Sequence, residues 1–115
     1  MFLPRLIYER VIFMIDAKED IWVFPPNVDF EMTASYTKRY REQRNKSLYF
    51  FDLSDTISLH SSFVGFLISI KHDLEKTDGH LLLNTSPEVD ELFTRMKIFE
   101  YFSSSKSVKM LKKTA

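Results

Sequence analysis

Two adjacent serines, Ser61 and Ser62, follow a histidine, His60, and a nucleophile and its base are built from these residue types. A serine nucleophile of the hydrolase kind needs a glycine-rich turn around it and an acid that orients the histidine. The sequence around His60 shows neither, and side chains adjacent in sequence seldom point at each other. We therefore expect no catalytic residue and no enzymatic activity.

The same serines have a second chemical use, because each hydroxyl can accept a phosphate. They precede an apolar stretch that predicts a helix, and a helix N-terminus offers free amides and a partial positive charge. A phosphate there would be tolerated by the protein and accessible to a partner. Alternatively, Ser61 or Ser62 is only a helix cap, and the residues by themselves leave both interpretations open.

Asp52 lies near the end of an apolar run, Leu48–Leu53, where receiver domains carry a phosphoacceptor aspartate. That chemistry also needs acids at the end of the first strand to hold magnesium. The corresponding residues here are Phe24, Pro25 and Pro26, which excludes a receiver site. We expect Asp52 to tie the following loop through backbone amides.

The histidines and glycines do not indicate a metal or cofactor site. The three histidines, His60, His72 and His80, do not form a ligand pair with an acid on one helix face, and the chain has no cysteine. The two glycines, Gly65 and Gly79, are too few for a phosphate-binding loop. We expect neither a metal nor a cofactor.

Composition indicates a single globular domain. The chain has 115 residues, of which 44% are hydrophobic, and we expect one domain over residues 1–115. The formal net charge is zero, which disfavours direct binding of nucleic acid. Apolar runs fall far short of the ~20 residues that span a membrane, so we expect no membrane partner and a cytoplasmic location. The eleven phenylalanines predict an aromatic core, with an exposed patch as the alternative.

The first half of the chain predicts two strands, a helix and a buried strand. Val11–Ile15 and Ile21–Phe24 flank a polar turn, which predicts an N-terminal antiparallel β-hairpin. Asp29 begins a helix that runs to about Arg44, and Leu48–Leu53 predicts a central parallel strand. Basic side chains crowd the end of the helix, and they form either a solvated face or a docking patch: Lys38, Arg39, Arg41, Arg44 and Lys46.

The second half predicts alternating helices and strands. A helix runs from the two serines to Gly79, and Leu81–Leu83 is a buried strand. The Ser86-Pro87-Glu88 sequence begins another helix. Ile98–Phe102 predicts a last short strand, and Ser107–Lys113 a final helix. This alternation predicts an α/β domain with a mostly parallel sheet and right-handed crossovers.

An ordered set of short motifs resembles the signature of STAS domains, the family of anti-sigma factor antagonists. An apolar strand ending in Asp52-Leu53 is followed, after a loop, by the helix-opening sequence from His60 to Leu67. Downstream, the stretch from Asp78 to Leu83 resembles the family's glycine turn and strand, and Ser86-Pro87-Glu88-Val89 its Ser-Pro-x-Val helix. The resemblance covers about residues 9–112.

The resemblance implies a STAS fold, in which a mixed, mostly parallel sheet of four or five strands is wound with about four helices. It implies an anti-sigma factor antagonist in a partner-switching circuit. The partner is an anti-sigma factor that is also a serine kinase of the histidine-kinase-like ATPase type. Phosphorylation of one serine releases the partner, and a serine phosphatase resets the switch. By position that serine is Ser61, with Ser62 as the second choice.

The resemblance also assigns the remaining site residues. The implied partner-binding set is Asp29, His60, Ser61, Ser62, Phe63 and Val64. His60 stands where the family has aspartate and Phe63 where it has glycine, and we expect the Phe63 ring to crowd a partner. Gly65 matches the family's second glycine, for which we expect close helix packing, while Asp52 and Gly79 are expected to be structural.

Two other functions stay open from the sequence. One is a STAS interaction or scaffold subunit that works without phosphorylation, which His60 and Phe63 favour. The other is a STAS module that senses a nucleotide or another small ligand, although no phosphate loop supports it.

Overall fold

Four apolar strands form the central sheet and follow one another across it in chain order. The computed structural model describes residues 21–44 and 46–111. The sheet consists, in spatial order, of β1 (Ile21–Val23), β3 (Leu48–Leu53), β5 (His80–Thr85) and β6 (Val108–Leu111), and each neighbouring pair is parallel. Two short strands, β2 (Asn27–Val28) and β4 (Ser58–Leu59), form a separate parallel pair.

The four helices of the described residues pack on one face of this sheet. They are α1 (Phe30–Glu42), α2 (Ser61–Thr77), α3 (Pro87–Arg95) and α4 (Phe99–Ser103). When strands add in one direction, right-handed crossovers place every intervening helix on the same side. One buried cluster accordingly joins alternate strand residues, such as Phe51 and Leu83, to side chains of all four helices. The prediction of an α/β domain with a largely parallel sheet is confirmed.

The other face of the sheet carries a second buried cluster. Its members are Phe50, Leu82 and Leu111, with Ile21 and Leu48 packed against them. Successive residues of a strand point to opposite faces, so β3 contributes to both clusters. This explains why its sequence is almost continuously apolar.

The predicted N-terminal hairpin falls only partly within the described residues. Ile21–Val23 forms β1, as expected, and the strand ends before Pro25 and Pro26. Its predicted antiparallel partner, Val11–Ile15, lies outside the described residues. The observed partner of β1 is β3, in parallel register with Trp22 opposite Phe51.

The prediction of a strand at Ile98–Phe102 is wrong, because this segment contains the helix α4. Phe102 turns inward from the helix and packs against Phe93 of α3, with the ring centroids 5.3 Å apart. A five-residue aromatic stretch suits a strand or a helical turn equally well, so packing decides between them.

The prediction of a final helix at Ser107–Lys113 is also wrong, because Val108–Leu111 is the edge strand β6. Val108 and Met110 are buried in the main cluster while Lys109 between them is exposed, which is the period of a strand. Pairing with β5 satisfies the backbone of this segment. Four residues are too few for periodicity to separate helix from strand.

The two glycines have roles different from those expected. Gly65 is exposed, and a Cβ atom added there would meet nothing within 4 Å, so the expected close packing is wrong. Helix α2 does end near Gly79, but the left-handed residue is Asp78, with φ of 55°. Gly79 is required for closeness instead, since an added Cβ would lie 2.6 Å from Leu74 Cδ2 and 3.0 Å from the Ser47 carbonyl oxygen.

This difference predicts opposite effects of the same substitution. Gly79→Ala should lower the free energy of unfolding by about 1–3 kcal/mol, because the added methyl group overpacks a buried site. Gly65→Ala should raise it by up to about 1 kcal/mol, because alanine is the better helix former and the space is open. Urea unfolding of the two variants checks both signs, and equal effects would contradict the assignment.

Among the residues that the structure describes, no helix is both long and apolar enough to cross a membrane.

Candidate partner-binding site

The starts of α1 and α2 are held side by side at one edge of the sheet. The link is the β2–β4 pair, in which Val28 lies opposite Leu59 and the His60 amide donates to the Val28 carbonyl at 2.8 Å. Asp29 and His60, which directly follow these strands, are therefore brought together. This is the edge where the strands of the main sheet have their carboxyl ends, the usual place for functional surfaces in α/β proteins.

Both of these residues are helix caps. The Asp29 carboxylate accepts a hydrogen bond from the Met32 amide at 2.8 Å. His60 Nδ1 accepts one from the Ser62 amide at 3.0 Å, so this nitrogen is the unprotonated one. The imidazole thus satisfies an amide that a carboxylate or hydroxyl usually satisfies at this position.

Ser61 and Ser62 differ in what their hydroxyls do. The Ser62 hydroxyl lies 2.8 Å from His60 Nδ1, and its side chain is half-buried. Ser61 is exposed, and its hydroxyl makes no hydrogen bond to another described residue. Because His60 Nδ1 is already used by Ser62, it does not serve as a base for Ser61. The available hydroxyl at this helix start is that of Ser61.

Phe63 and Val64 do not belong to the accessible part of the site. Phe63 is 0% exposed and Val64 5% exposed. The Phe63 ring packs edge-on against Phe24, with the centroids 5.2 Å apart, and against Phe66 at 5.6 Å. The expectation that the Phe63 ring would crowd a partner is therefore wrong, and both residues are removed from the candidate surface.

Two exposed apolar residues at this edge were missed by the sequence reasoning. Phe30, the first residue of α1, is 61% exposed and contacts the His60 ring, with the centroids 5.6 Å apart. Ile57, just before β4, is 58% exposed. Both are apolar residues among polar neighbours, and that isolation was the only signal in the sequence.

Hydrogen bonds made by the buried residue Thr56 hold the loop that contains Ile57. Thr56 is fully buried, and its hydroxyl donates to the Pro25 carbonyl at 2.9 Å. The buried hydroxyl of Ser86, which also caps α3, donates to the Thr56 carbonyl at 2.5 Å. These two bonds hold Thr56, and the Ile57 amide donates to the Pro26 carbonyl at 2.7 Å, which fixes the backbone that places Ile57 at the surface.

Asp52 lies in β3 and takes a structural position. Its Oδ1 atom accepts hydrogen bonds from the Ser54 amide at 3.0 Å and the Ser54 hydroxyl at 2.6 Å, and the Asn84 amide group lies 3.3 Å away. These contacts tie the loop after β3, which is the arrangement expected from the sequence.

Elsewhere in the described part of the chain, no three histidine, aspartate or glutamate side chains are grouped so that they could hold a metal ion. His72 lies 3.3 Å from the Tyr101 hydroxyl and 3.9 Å from a Glu75 oxygen, both on the surface.

The starts of α1 and α2 bring the exposed hydroxyl of Ser61 and the exposed ring of Phe30 to the same edge of the sheet. This arrangement is suited to binding a partner.

Comparison with known proteins adds no relative, since no family model and no curated protein matches the chain.

Proposed function

We propose that this protein is an anti-sigma factor antagonist of the STAS type, which binds an anti-sigma factor through the edge formed by the starts of α1 and α2. The observation that carries the proposal is the hydroxyl of Ser61, which is exposed and makes no hydrogen bond to another described residue, at the first position of a 17-residue helix. The preceding residue, His60, contacts the exposed ring of Phe30.

The proposed control is phosphorylation of Ser61 by the partner, a serine kinase of the histidine-kinase-like ATPase type. A phosphate on Ser61 would add about two negative charges beside the amino end of α2, where the helix dipole favours them. The fold would therefore keep its stability. A partner packed on the neutral hydroxyl and on Phe30 would instead face a hydrated dianion and be released.

The fold and the sequence motifs also support this assignment. A parallel sheet with helices on one face, the Ser61 position after the β3 strand and loop, and the Ser-Pro cap of α3 all suit a STAS domain. The proposal includes a cytoplasmic location and the absence of enzymatic activity.

A scaffold function without phosphorylation is the second candidate, and the contact between Phe30 and His60 favours it. In this case the exposed Phe30 ring and the His60 ring that it contacts would form a permanent docking surface. The two candidates differ in whether Ser61 is ever modified.

The deciding experiment is the intact mass of the protein after incubation with ATP and a lysate of the organism that encodes it. We expect a gain of one phosphate that Ser61→Ala abolishes and Ser62→Ala keeps. No gain in the wild-type protein would overturn the switch and favour the scaffold.

A further inference from the structure

An open groove of about 580 Å³ runs between α1 and α2. Phe30 and Ser62 line it where the two helices begin, and Arg44 and Asp73 line it farther along. Helix α1 spans 12 residue steps from Phe30 to Glu42, which corresponds to about 18 Å along its axis, and Arg44 lies just beyond its end. The groove thus begins at Ser62, the residue after Ser61, and continues along the whole length of α1.

The groove has an excess of positive charge that the chain as a whole lacks. Lys38, Arg41 and Arg44 line it, and all three are exposed and make no ion pair with another described residue. Among the described residues that line the groove, the one acid is Asp73, which accepts a hydrogen bond from the Tyr40 hydroxyl at 3.0 Å. Burial, and then this bond to Asp73, raise the pKa of Tyr40, so the phenol keeps its proton.

The other arginine of this region has a different role. The Arg39 guanidinium lies over the Trp22 ring, 4.0 Å from its centroid. This cation–π contact attaches α1 to the sheet. The basic end of α1 therefore contains a structural arginine and three cations that line the groove and make no ion pair with another described residue.

We infer that the groove between α1 and α2 binds an acidic, amphipathic helix of a protein partner. A helix of about 14 residues matches its length, and a helix laid in a groove is a common mode of recognition. An apolar side chain at one end would pack on the exposed Phe30 ring, and carboxylates would face Lys38, Arg41 and Arg44.

Charge and shape favour a protein segment over nucleic acid. A DNA-binding protein can neutralise about 6–10 phosphates, whereas only three cations among the described residues line this groove.

The inference rests on the proposed function in that the acidic helix belongs to the same partner that docks at Ser61. The groove and the Ser61 hydroxyl would then have separate functions in binding. The groove supplies attraction and orientation, and the hydroxyl of Ser61 supplies the switch.

The test uses the full chain labelled with ¹⁵N and a defined synthetic peptide. The peptide has 14 residues, with leucines on one helical face and glutamates beside them, and its control carries lysine in place of every glutamate. Amide shifts recorded during titration should move along α1 and α2 with the acidic peptide. The double variant Arg41→Glu/Arg44→Glu should weaken its binding more than ~10-fold.

The matched control is Lys97→Glu/Lys106→Glu, which reverses two exposed charges outside the groove and should leave the affinity unchanged. Circular dichroism verifies that both double variants are folded. Equal binding of the lysine peptide, shifts confined to another surface, or wild-type affinity of Arg41→Glu/Arg44→Glu would each overturn the inference. If Ser61 is found not to be phosphorylated, the proposed switch is overturned while peptide binding stays intact. Failure of the proposed function and failure of this inference are therefore distinguishable.

Discussion

Phe63→Ala is expected to lower the free energy of unfolding by about 3–5 kcal/mol, the usual cost of removing a fully buried ring. The side chain is completely inaccessible and lies among the rings of Phe24, Tyr36 and Phe66. Interiors are packed so densely that the neighbours fill such a space only in part. Urea unfolding followed by fluorescence measures the loss, since Trp22 is the single tryptophan and is buried in the same cluster.

Phe30→Ala is the matched control, because it removes the same side chain from the surface. Phe30 is 61% exposed and its ring contacts the exposed His60 ring, so we expect a change within about 0.5 kcal/mol. If Phe63→Ala leaves too little folded protein, Phe63→Leu should show a smaller loss with the same sign. Equal stability of the Phe30→Ala and Phe63→Ala variants would show that the two rings are not divided between surface and core.

Ser61→Asp is expected to reduce affinity for the proposed anti-sigma partner more than ~10-fold, because a charge buried in an interface without a counter-charge is costly. The same substitution should leave the protein as stable as before or more stable by up to about 1 kcal/mol. The reason is that an anion in the first turn of a helix is favourable. Calorimetric titration of the purified partner, together with urea unfolding, measures both effects.

The control for added charge is Ser104→Asp, at an exposed residue just after α4, outside both the candidate site and the groove between α1 and α2. It should leave partner affinity unchanged. Ser61→Ala should bind like the wild-type protein, because it stays uncharged. Wild-type affinity of Ser61→Asp would contradict the proposed switch, and a drop with Ser104→Asp would show that net charge alone governs binding.

Features that depend on neighbouring residues were predictable from the sequence. The cap at Asp29, the Ser-Pro start of α3 and the buried strand at Leu48–Leu53 are all observed. Each is signalled by residues close together in the sequence. A capping side chain supplies an acceptor to a nearby amide, and a strand that is covered on both faces is a continuous apolar run. The alternation of these elements was enough to indicate the α/β class.

Features that depend on distant contacts were not predictable. Two residues of β2 and two of β4 carry no pattern of their own, yet their pairing places His60 beside Phe30. Val108–Leu111 becomes a strand because the edge of β5 is open to it, although its sequence also suited a helix.

The sequence by itself determined where the helix with Ser61 begins and that its serines stand at the start, because caps and apolar spacing are local properties. Only the tertiary structure decided which side chains there are accessible. The orientation of α2 against the sheet turns Phe63 and Val64 inward and leaves Ser61 outside. The packing of α1 beside α2 likewise forms the groove that Lys38, Arg41 and Arg44 line. The physical reason is that burial is settled by partners far along the chain, which no short stretch of residues contains.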